Sequence, residues 1–111
     1  MKRIIFLSAI LAMFLFAGSA LAETCDFDTN GYVLSLDMDY NYSQVMGYYP
    51  GGQLDGQIYG DTIQGTWYST TDNNYGEFWW QVYDWGFEGY WKYASDYEWR
   101  EVWTGTLIQC Y

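Results

Sequence analysis

The sequence predicts an all-β protein, a small antiparallel up-and-down meander that closes into a roughly eight-stranded barrel with one disulfide bond. Three observations predict this fold. A five-residue pattern with a central glycine recurs along the chain, two-residue turn signals separate several of its copies, and one cysteine lies near each end of the domain. The pattern has an apolar residue first and a large apolar residue last, and its copies lie at 45–49, 54–58, 63–67, 87–91 and 103–107.

The recurring pattern is typical of β-strands. Side chains alternate between the two faces of a strand, so the first, third and fifth residues of each copy share one face. A glycine at every centre, beside many aromatic and β-branched residues, disfavours a helix. From Tyr32 onward we predict seven strands, at 32–40, 43–50, 53–59, 62–69, 76–83, 86–93 and 102–109.

An eighth strand at 25–29 is predicted from the positions of the two cysteines. With seven strands, Cys25 and Cys110 would lie at opposite ends of a closed meander; with eight, they meet as antiparallel neighbours and can pair. Such a disulfide contributes roughly 4 kcal/mol through the entropy of the unfolded chain. Because Cys25 falls on the inward series and Cys110 on the outward one, we expect a bulge or a frayed end.

The stretch that leads into the second strand has two interpretations. Asp26-Phe27-Asp28-Thr29-Asn30-Gly31 has the spacing of the first half of a calcium loop, with Asp37 at the twelfth position. A calcium loop also needs ligands at intermediate positions, where Val33 and Leu34 offer no side-chain oxygen, so we predict a hairpin that turns at Asn30-Gly31. Weak calcium binding stays open here and at Asp72–Glu77, where Asp and Asn also favour a turn.

The turn signals also predict which residues pair across the strands. Counting outward from Gly51-Gly52 and Gly60-Asp61 places Gly47 opposite Gly56 and Gly56 opposite Gly65. The turn at Asp84-Trp85 places Trp80 opposite Gly89 and Phe78 opposite Trp91, and a longer loop near Asp72-Asn73 places Gly65 opposite Trp80. Rows of glycine let a sheet bend sharply, and a large ring can cover the bare backbone.

The inward residues are predicted to form three layers. One end of the barrel is aliphatic, with Met38, Val45, Ile58, Ile63, Val82, Phe87 and Leu107. The middle layer holds Leu36, Gly47, Gly56, Gly65, Trp80, Gly89 and Gly105. The other end is aromatic, with Phe27, Tyr49, Trp67, Phe78, Trp91 and Trp103.

The first 22 residues are predicted to be a signal peptide. Lys2 and Arg3 precede an apolar run at 4–16, and Ala20-Leu21-Ala22 is a small-x-small cleavage site. The run is too short for a membrane span. We therefore expect a single mature domain, 23–111, that is secreted in soluble form to the periplasm or the extracellular space.

The glycine-centred strands resemble those of a loose group of small secreted microbial β-proteins. Those proteins carry repeated G-x-W or G-x-Y strands, as this chain does in I-Q-G-T-W at 63–67 and F-E-G-Y-W at 87–91. The resemblance spans nearly all of 27–107 and implies a fold but no activity. The sequence G-T-W-Y at 65–68 is also similar to a strand of avidin-type barrels, from which no ligand residues carry over.

Composition excludes several function classes. The chain contains no histidine, which excludes histidine-based triads and histidine metal sites. Without the signal peptide, two basic residues stand against 14 acidic ones, a net charge of −12 that repels nucleic acid and anionic membranes. The strand acids all fall at outward positions, and Lys92 is predicted to pair with Glu77. We expect a protein that is not an enzyme, has no cofactor and is a monomer.

The aromatic residues suggest two binding surfaces. The main prediction is a binding protein that takes an apolar or carbohydrate ligand at the aromatic end, below the loops 70–75 and 94–101. Its site residues would be Tyr49, Trp67, Trp91, Trp99 and Trp103. The alternative is a structural or interaction protein of the cell envelope or extracellular matrix, which would use an outward face made of Tyr68, Trp79 and Tyr90.

Overall fold

The computed structural model describes residues 21–111, in which eight antiparallel strands form a closed barrel. The predicted signal peptide lies outside this range, except for its last two residues. Each strand pairs with the next, and the last pairs with the first, which confirms the predicted all-β meander. The strands are β1 Leu21–Thr29, β2 Tyr32–Asp39, β3 Gln44–Tyr49, β4 Gly52–Tyr59, β5 Thr62–Ser69, β6 Tyr75–Tyr83, β7 Gly86–Tyr93 and β8 Glu101–Cys110.

No helix in the described part of the chain is long and apolar enough to cross a membrane.

Three of the predicted turns form where the sequence places them. Asn30 and Gly31 have φ values of 53° and 88°, the left-handed geometry of a tight hairpin turn, so the stretch that resembled a calcium loop is a hairpin. Two of the acids that would have been calcium ligands instead accept hydrogen bonds from neighbouring side chains of the sheet. Ser35 Oγ donates to Asp26 at 2.7 Å, and Thr24 Oγ1 donates to Asp37 at 2.8 Å. The turns at 60–61 and 84–85 give the predicted pairs Gly56–Gly65, Trp80–Gly89 and Phe78–Trp91.

Two predicted registers are wrong, each by two residues. Strands β3 and β4 turn at Pro50-Gly51 instead of Gly51-Gly52, so Gly47 lies opposite Leu54. Proline favours the second position of a turn and a positive φ, here 86° at Gly51, favours glycine at the third, so this dipeptide forms the turn.

The loop 70–74 sets the second wrong register. Ser69 N donates to Asn74 O at 2.8 Å, which closes the loop and pairs Tyr68 with Tyr75. Gly65 consequently lies opposite Phe78, and Trp80 lies opposite Ile63. A shift of two residues leaves every side chain on its predicted face.

The barrel closes between β1 and β8, where the predicted disulfide and the predicted irregularity are both present. Cys25 pairs with Cys110 in the sheet and is bonded to it. The register then shifts between Asp26 and Phe27, because Phe27 lies opposite Leu107 and Ile108 is the extra residue of a bulge. Because of this bulge, Cys110 faces the same side as Cys25, although strict alternation along β8 would place it on the outward face.

Aromatic rings fill the middle of the barrel. Trp80 stacks on Phe87 with ring centroids 3.8 Å apart, and Phe78 lies 4.5 Å from Trp80. Leu34 and Leu54, two leucines outside the predicted layers, are buried beside them. The centre of the barrel is therefore a packed core, and open space for a ligand must lie at its ends or on its outer surface.

Candidate functional site

A cavity of about 420 Å³ lies at the aromatic end of the barrel, which we call the mouth. The connections β1–β2, β3–β4 and β5–β6 surround it. Trp67 and Trp103 are more than nine-tenths buried and form its floor, while half-buried rings form its walls. The wall rings are Tyr32, Tyr49, Trp91 and Tyr93.

The floor residue Trp67 is held by its main-chain surroundings. Its indole N–H donates to the carbonyl oxygen of Lys92 at 3.1 Å. Gly76 lies opposite Trp67, and a Cβ atom there would collide with the carbonyl oxygen of Lys92 and lie 2.8 Å from Trp67 Nε1. The glycine thus leaves room for the indole, which packs edge-on against Trp91 with centroids 5.7 Å apart.

Tyr49 forms the opposite wall and supplies a hydroxyl group. Its ring lies edge-on to Trp103, 5.8 Å between centroids, and covers Gly52, where a side chain would collide with it. Burial raises the pKa of Tyr49 to about 12, and repulsion from the nearby Tyr32 hydroxyl adds to this. The hydroxyl of Tyr49 therefore stays protonated at ordinary pH and can donate a hydrogen bond.

The rim of the mouth is polar. Its residues are Asn30, Ser69, Thr71, Asp72, Asn74 and Glu101. Asp72 accepts hydrogen bonds from the backbone N–H and the side-chain amide of Asn74, both at 3.1 Å, which orders the turn. Hydrogen bonds from Ser69 and then from the Asn74 backbone lower the pKa of Asp72. An ionised carboxylate thus lies beside aromatic rings at the entrance.

Four of the five predicted site residues line the mouth: Tyr49, Trp67, Trp91 and Trp103. Trp99 does not, because the loop between β7 and β8 folds over the outer face of the barrel. Its ring lies 5.3 Å from Lys92 Nζ, an outward side chain. Loop 70–75 contributes to the rim as predicted, whereas only Glu101 of the predicted loop 94–101 does so.

Two wall residues, Tyr32 and Tyr93, were missed by the sequence reasoning. Both continue an inward series: Tyr32 precedes Leu34 and Leu36 by even steps, and Tyr93 follows Trp91 in the same way. Applying the alternation of faces to the first residue of β2 and the last residue of β7 identifies both.

The predicted outward aromatic face is only partly assembled. Trp79 and Tyr90 lie opposite each other, as predicted. Trp79 pairs on its other side with Gln64, however, which leaves Tyr68 four residues further along β5. At about 3.3 Å per residue this separation is roughly 13 Å, so Tyr68 is not part of one surface with the other two rings. The shifted β5–β6 register is the cause.

The end of the barrel opposite the mouth contains a buried acid that the sequence did not predict, because it lies before the predicted strand 25–29. Glu23 is buried because β1 begins before residue 25 and continues the inward series of Cys25 and Phe27. Tyr42 Oη donates to its carboxylate at 3.0 Å. Burial raises the pKa of Glu23 to about 7, against a smaller lowering by this hydrogen bond.

Comparisons of this chain with protein-family models, with curated proteins and with solved structures found no match. The resemblance to small secreted microbial β-proteins and to avidin-type barrels stays a prediction.

Proposed function

We propose that the protein is a small secreted, non-catalytic binding protein whose ligand occupies the mouth. The observation that carries this proposal is a cavity with an aromatic floor and walls below a polar rim. A carbohydrate ring fits this arrangement best, because its apolar face can stack on Trp67 or Trp91 while its hydroxyl groups bind the rim. An apolar ligand would contact the rings but would form no hydrogen bond with the polar rim.

A binding role is favoured over catalysis by the use of the basic residues. Lys92 lies 4.0 Å from Glu77 and beneath Trp99, while Arg100 is paired with Asp96. Both basic side chains are therefore engaged in holding the β7–β8 loop. General acid–base chemistry needs a group with a suitable pKa within hydrogen-bonding reach of the substrate, and hydrogen bonds lower the pKa of the rim carboxyl of Asp72, so that it stays ionised and is a weak base.

Secretion is part of the same proposal. The Cys25–Cys110 disulfide is typical of oxidising compartments such as the periplasm and the extracellular space. The leader-like residues 1–22 supply a route to either compartment. The high negative charge favours a soluble monomer with no nucleic-acid partner.

Titration of tryptophan fluorescence with a panel of mono- and disaccharides, and with an uncharged apolar dye, tests the proposal. Trp91→Ala removes a half-buried wall ring, and we expect it to weaken sugar binding about two- to tenfold, since one aromatic contact contributes about 0.5–1.5 kcal/mol. Trp85→Ala is the matched control, because Trp85 lies in the turn at the opposite end of the barrel.

Thermal melting of both variants shows whether the fold is retained. Equal sugar affinity in Trp91→Ala and the parent protein, or no binding by any member of the panel, would refute the proposal. Binding of the dye alone, lost in Trp91→Ala, would assign the mouth to an apolar ligand.

A further inference from the structure

A second concave surface lies on the outer side of the barrel, across β3, β4, β5 and β6. It is a groove of about 630 Å³ between two rows of outward side chains. Gln44, Gln57 and Gln64 pair in sequence across three strands and form one row. The other row, two residues away along the strands, consists of Asp55, Thr66 and Glu77.

The floor between the rows is formed in part by bare main chain. Gly56 and Gly65 pair with each other between the two rows and belong to the inward series, so they present only main chain on the outer side. Polar side chains therefore stand on both sides of a shallow channel that runs across the strands. The distance from β3 to β6 is three strand spacings, or roughly 14 Å.

The two rows offer hydrogen-bonding groups of both kinds. Each glutamine amide carries two N–H donors and an acceptor oxygen, and the row of carboxylates and hydroxyl adds further acceptors. Tyr59 Oη donates to Gln57 Oε1 at 2.5 Å, which fixes that amide with its NH₂ group available to a ligand. Such paired donors and acceptors match the hydroxyl groups of sugars.

Trp99 supplies an aromatic wall at the Glu77 end of the groove. Its ring is 44% exposed, yet it is held in place by Lys92 Nζ, 5.3 Å from the ring centroid. Lys92 in turn lies 4.0 Å from Glu77 of the row. A cation beneath an exposed indole orders the ring and leaves the rest of the ring accessible to a ligand.

The loop that carries Trp99 is itself fixed. Asp96 accepts two hydrogen bonds from the Arg100 guanidinium, both at 2.9 Å, and one from the backbone N–H of Tyr93 at 3.0 Å. The guanidinium lies 4.7 Å from the centroid of the Tyr93 ring. An exposed tryptophan on a preorganised loop loses little conformational entropy when a ligand binds.

Charge decides which extended ligand fits. The chain has a formal net charge of −10, and both carboxylates of the groove add to the local negative potential, so polyanions are repelled. We propose that the groove binds a segment of an extended, neutral polysaccharide, with one sugar stacked on Trp99 and its neighbours bonded to the two rows. This site is separate from the mouth and does not depend on the function proposed for it.

Native affinity electrophoresis in gels that contain hydroxyethyl cellulose, a soluble neutral β-linked glucan, tests the inference. We expect the glucan to retard the parent protein, and Trp99→Ala to weaken the apparent affinity at least tenfold. Gln57→Ala with Gln64→Ala should weaken it further, whereas Trp85→Ala should leave it unchanged. Polygalacturonate, an anionic chain, should not retard the protein.

The mouth variant Trp91→Ala distinguishes the two sites, because it should keep its affinity for the glucan. An unretarded parent protein, or equal retardation of the parent and Trp99→Ala, would overturn the proposal for the groove. Loss of glucan binding in Trp91→Ala alone would also overturn it and would assign the polysaccharide to the mouth. Retardation by polygalacturonate equal to that by the glucan would contradict the argument from charge.

Discussion

At the scale of single residues, Glu23 places a carboxyl group inside the barrel at the disulfide end. Its side chain is 4% exposed, and its pKa is raised from 4.5 to about 7 by burial. Between pH 4.5 and about 7, the folded state keeps a proton on Glu23 that the unfolded state has released. Folding stability should therefore fall as the pH rises through this interval and level off above it.

Replacement of Glu23 by the neutral amide should remove this dependence. The full effect in the parent protein is on the order of 3 kcal/mol, at about 1.4 kcal/mol per pKa unit. Urea midpoints measured from pH 4 to 8 should fall with pH in the parent chain and fall less in Glu23→Gln. Glu88→Gln, an exposed glutamate on β7, should keep the parent slope. If the urea midpoint of Glu23→Gln fell with pH as steeply as that of the parent, the assignment of Glu23 as a buried, protonated carboxyl would be contradicted.

The length of the chain before Glu23 controls the same titration. Cleavage after Ala22 would place an α-ammonium group on Glu23 itself, and a nearby positive charge lowers the pKa of a carboxyl. The fall of the urea midpoint with pH should accordingly be smaller in a chain that begins at Glu23 than in one that includes Leu21 and Ala22.

At the scale of elements, the close pairing of β4 with β5 explains why a glycine is needed at position 65. A Cβ atom on Gly65 would lie 2.0 Å from the carbonyl oxygen of Asp55 and 2.5 Å from the Cα atom of Gly56. The obstacle is thus the main chain of the neighbouring strand. The ring of Trp80, which the sequence had placed there, lies opposite Ile63.

Gly65→Val should therefore lower the stability by about 1–3 kcal/mol or more, since the backbone must separate to admit the side chain. Thr66→Val, at the adjacent outward position, should change the urea midpoint little because no buried contact is lost. Equilibrium urea unfolding of the two variants measures both effects. A larger loss in Thr66→Val than in Gly65→Val would show that the inward and outward faces had been assigned the wrong way round.

Turns differ in how far their sequence determines the register of a strand pair. Asn30-Gly31 offers one tight turn that fits both strands, and its register was predicted correctly. Pro50-Gly51-Gly52 offers two adjacent dipeptides, and the preference of proline for one turn position selects the first. In the longer loop 70–74, hydrogen bonds made by Asp72, Asn74 and Tyr68 set the register, and spacing alone does not reveal these contacts.

At the scale of the whole molecule, closure of the barrel depends on the β1–β8 pair. The Cys25–Cys110 disulfide joins these strands across a sequence separation of 85 residues. Backbone hydrogen bonds between Thr24 and Tyr111, at 2.9 and 2.8 Å, continue the pairing beyond it. The cross-link therefore restricts nearly the whole domain in the unfolded state.

Reduction of the disulfide should lower the free energy of unfolding by roughly 4 kcal/mol on the chain-entropy model. Urea unfolding with and without a reductant measures this, with intact mass to confirm that the bond is open. The double variant Cys25→Ser, Cys110→Ser is the control, since its midpoint should not respond to the reductant. A parent protein whose midpoint is the same in both states would show that closure does not depend on the bond.

The sequence by itself determined the strands, the faces of their side chains, the disulfide and the need for a bulge beside it. The alternation of side chains gives the two faces, the turn residues give the hairpins, and the number of strands brings the two cysteines together. All three can be read along the chain. Four rings of the mouth were found in the same way. Only the tertiary structure decided the two shifted registers, the path of the loop that carries Trp99, and the burial of Glu23. The two registers follow from the position of proline in one turn and from hydrogen bonds within 68–74 in the other, which residue spacing alone does not specify. The burial of Glu23 and the position of Trp99 depend on contacts with neighbouring strands and loops. The groove on the outer face exists because such contacts align two rows of side chains and place Trp99 at their end.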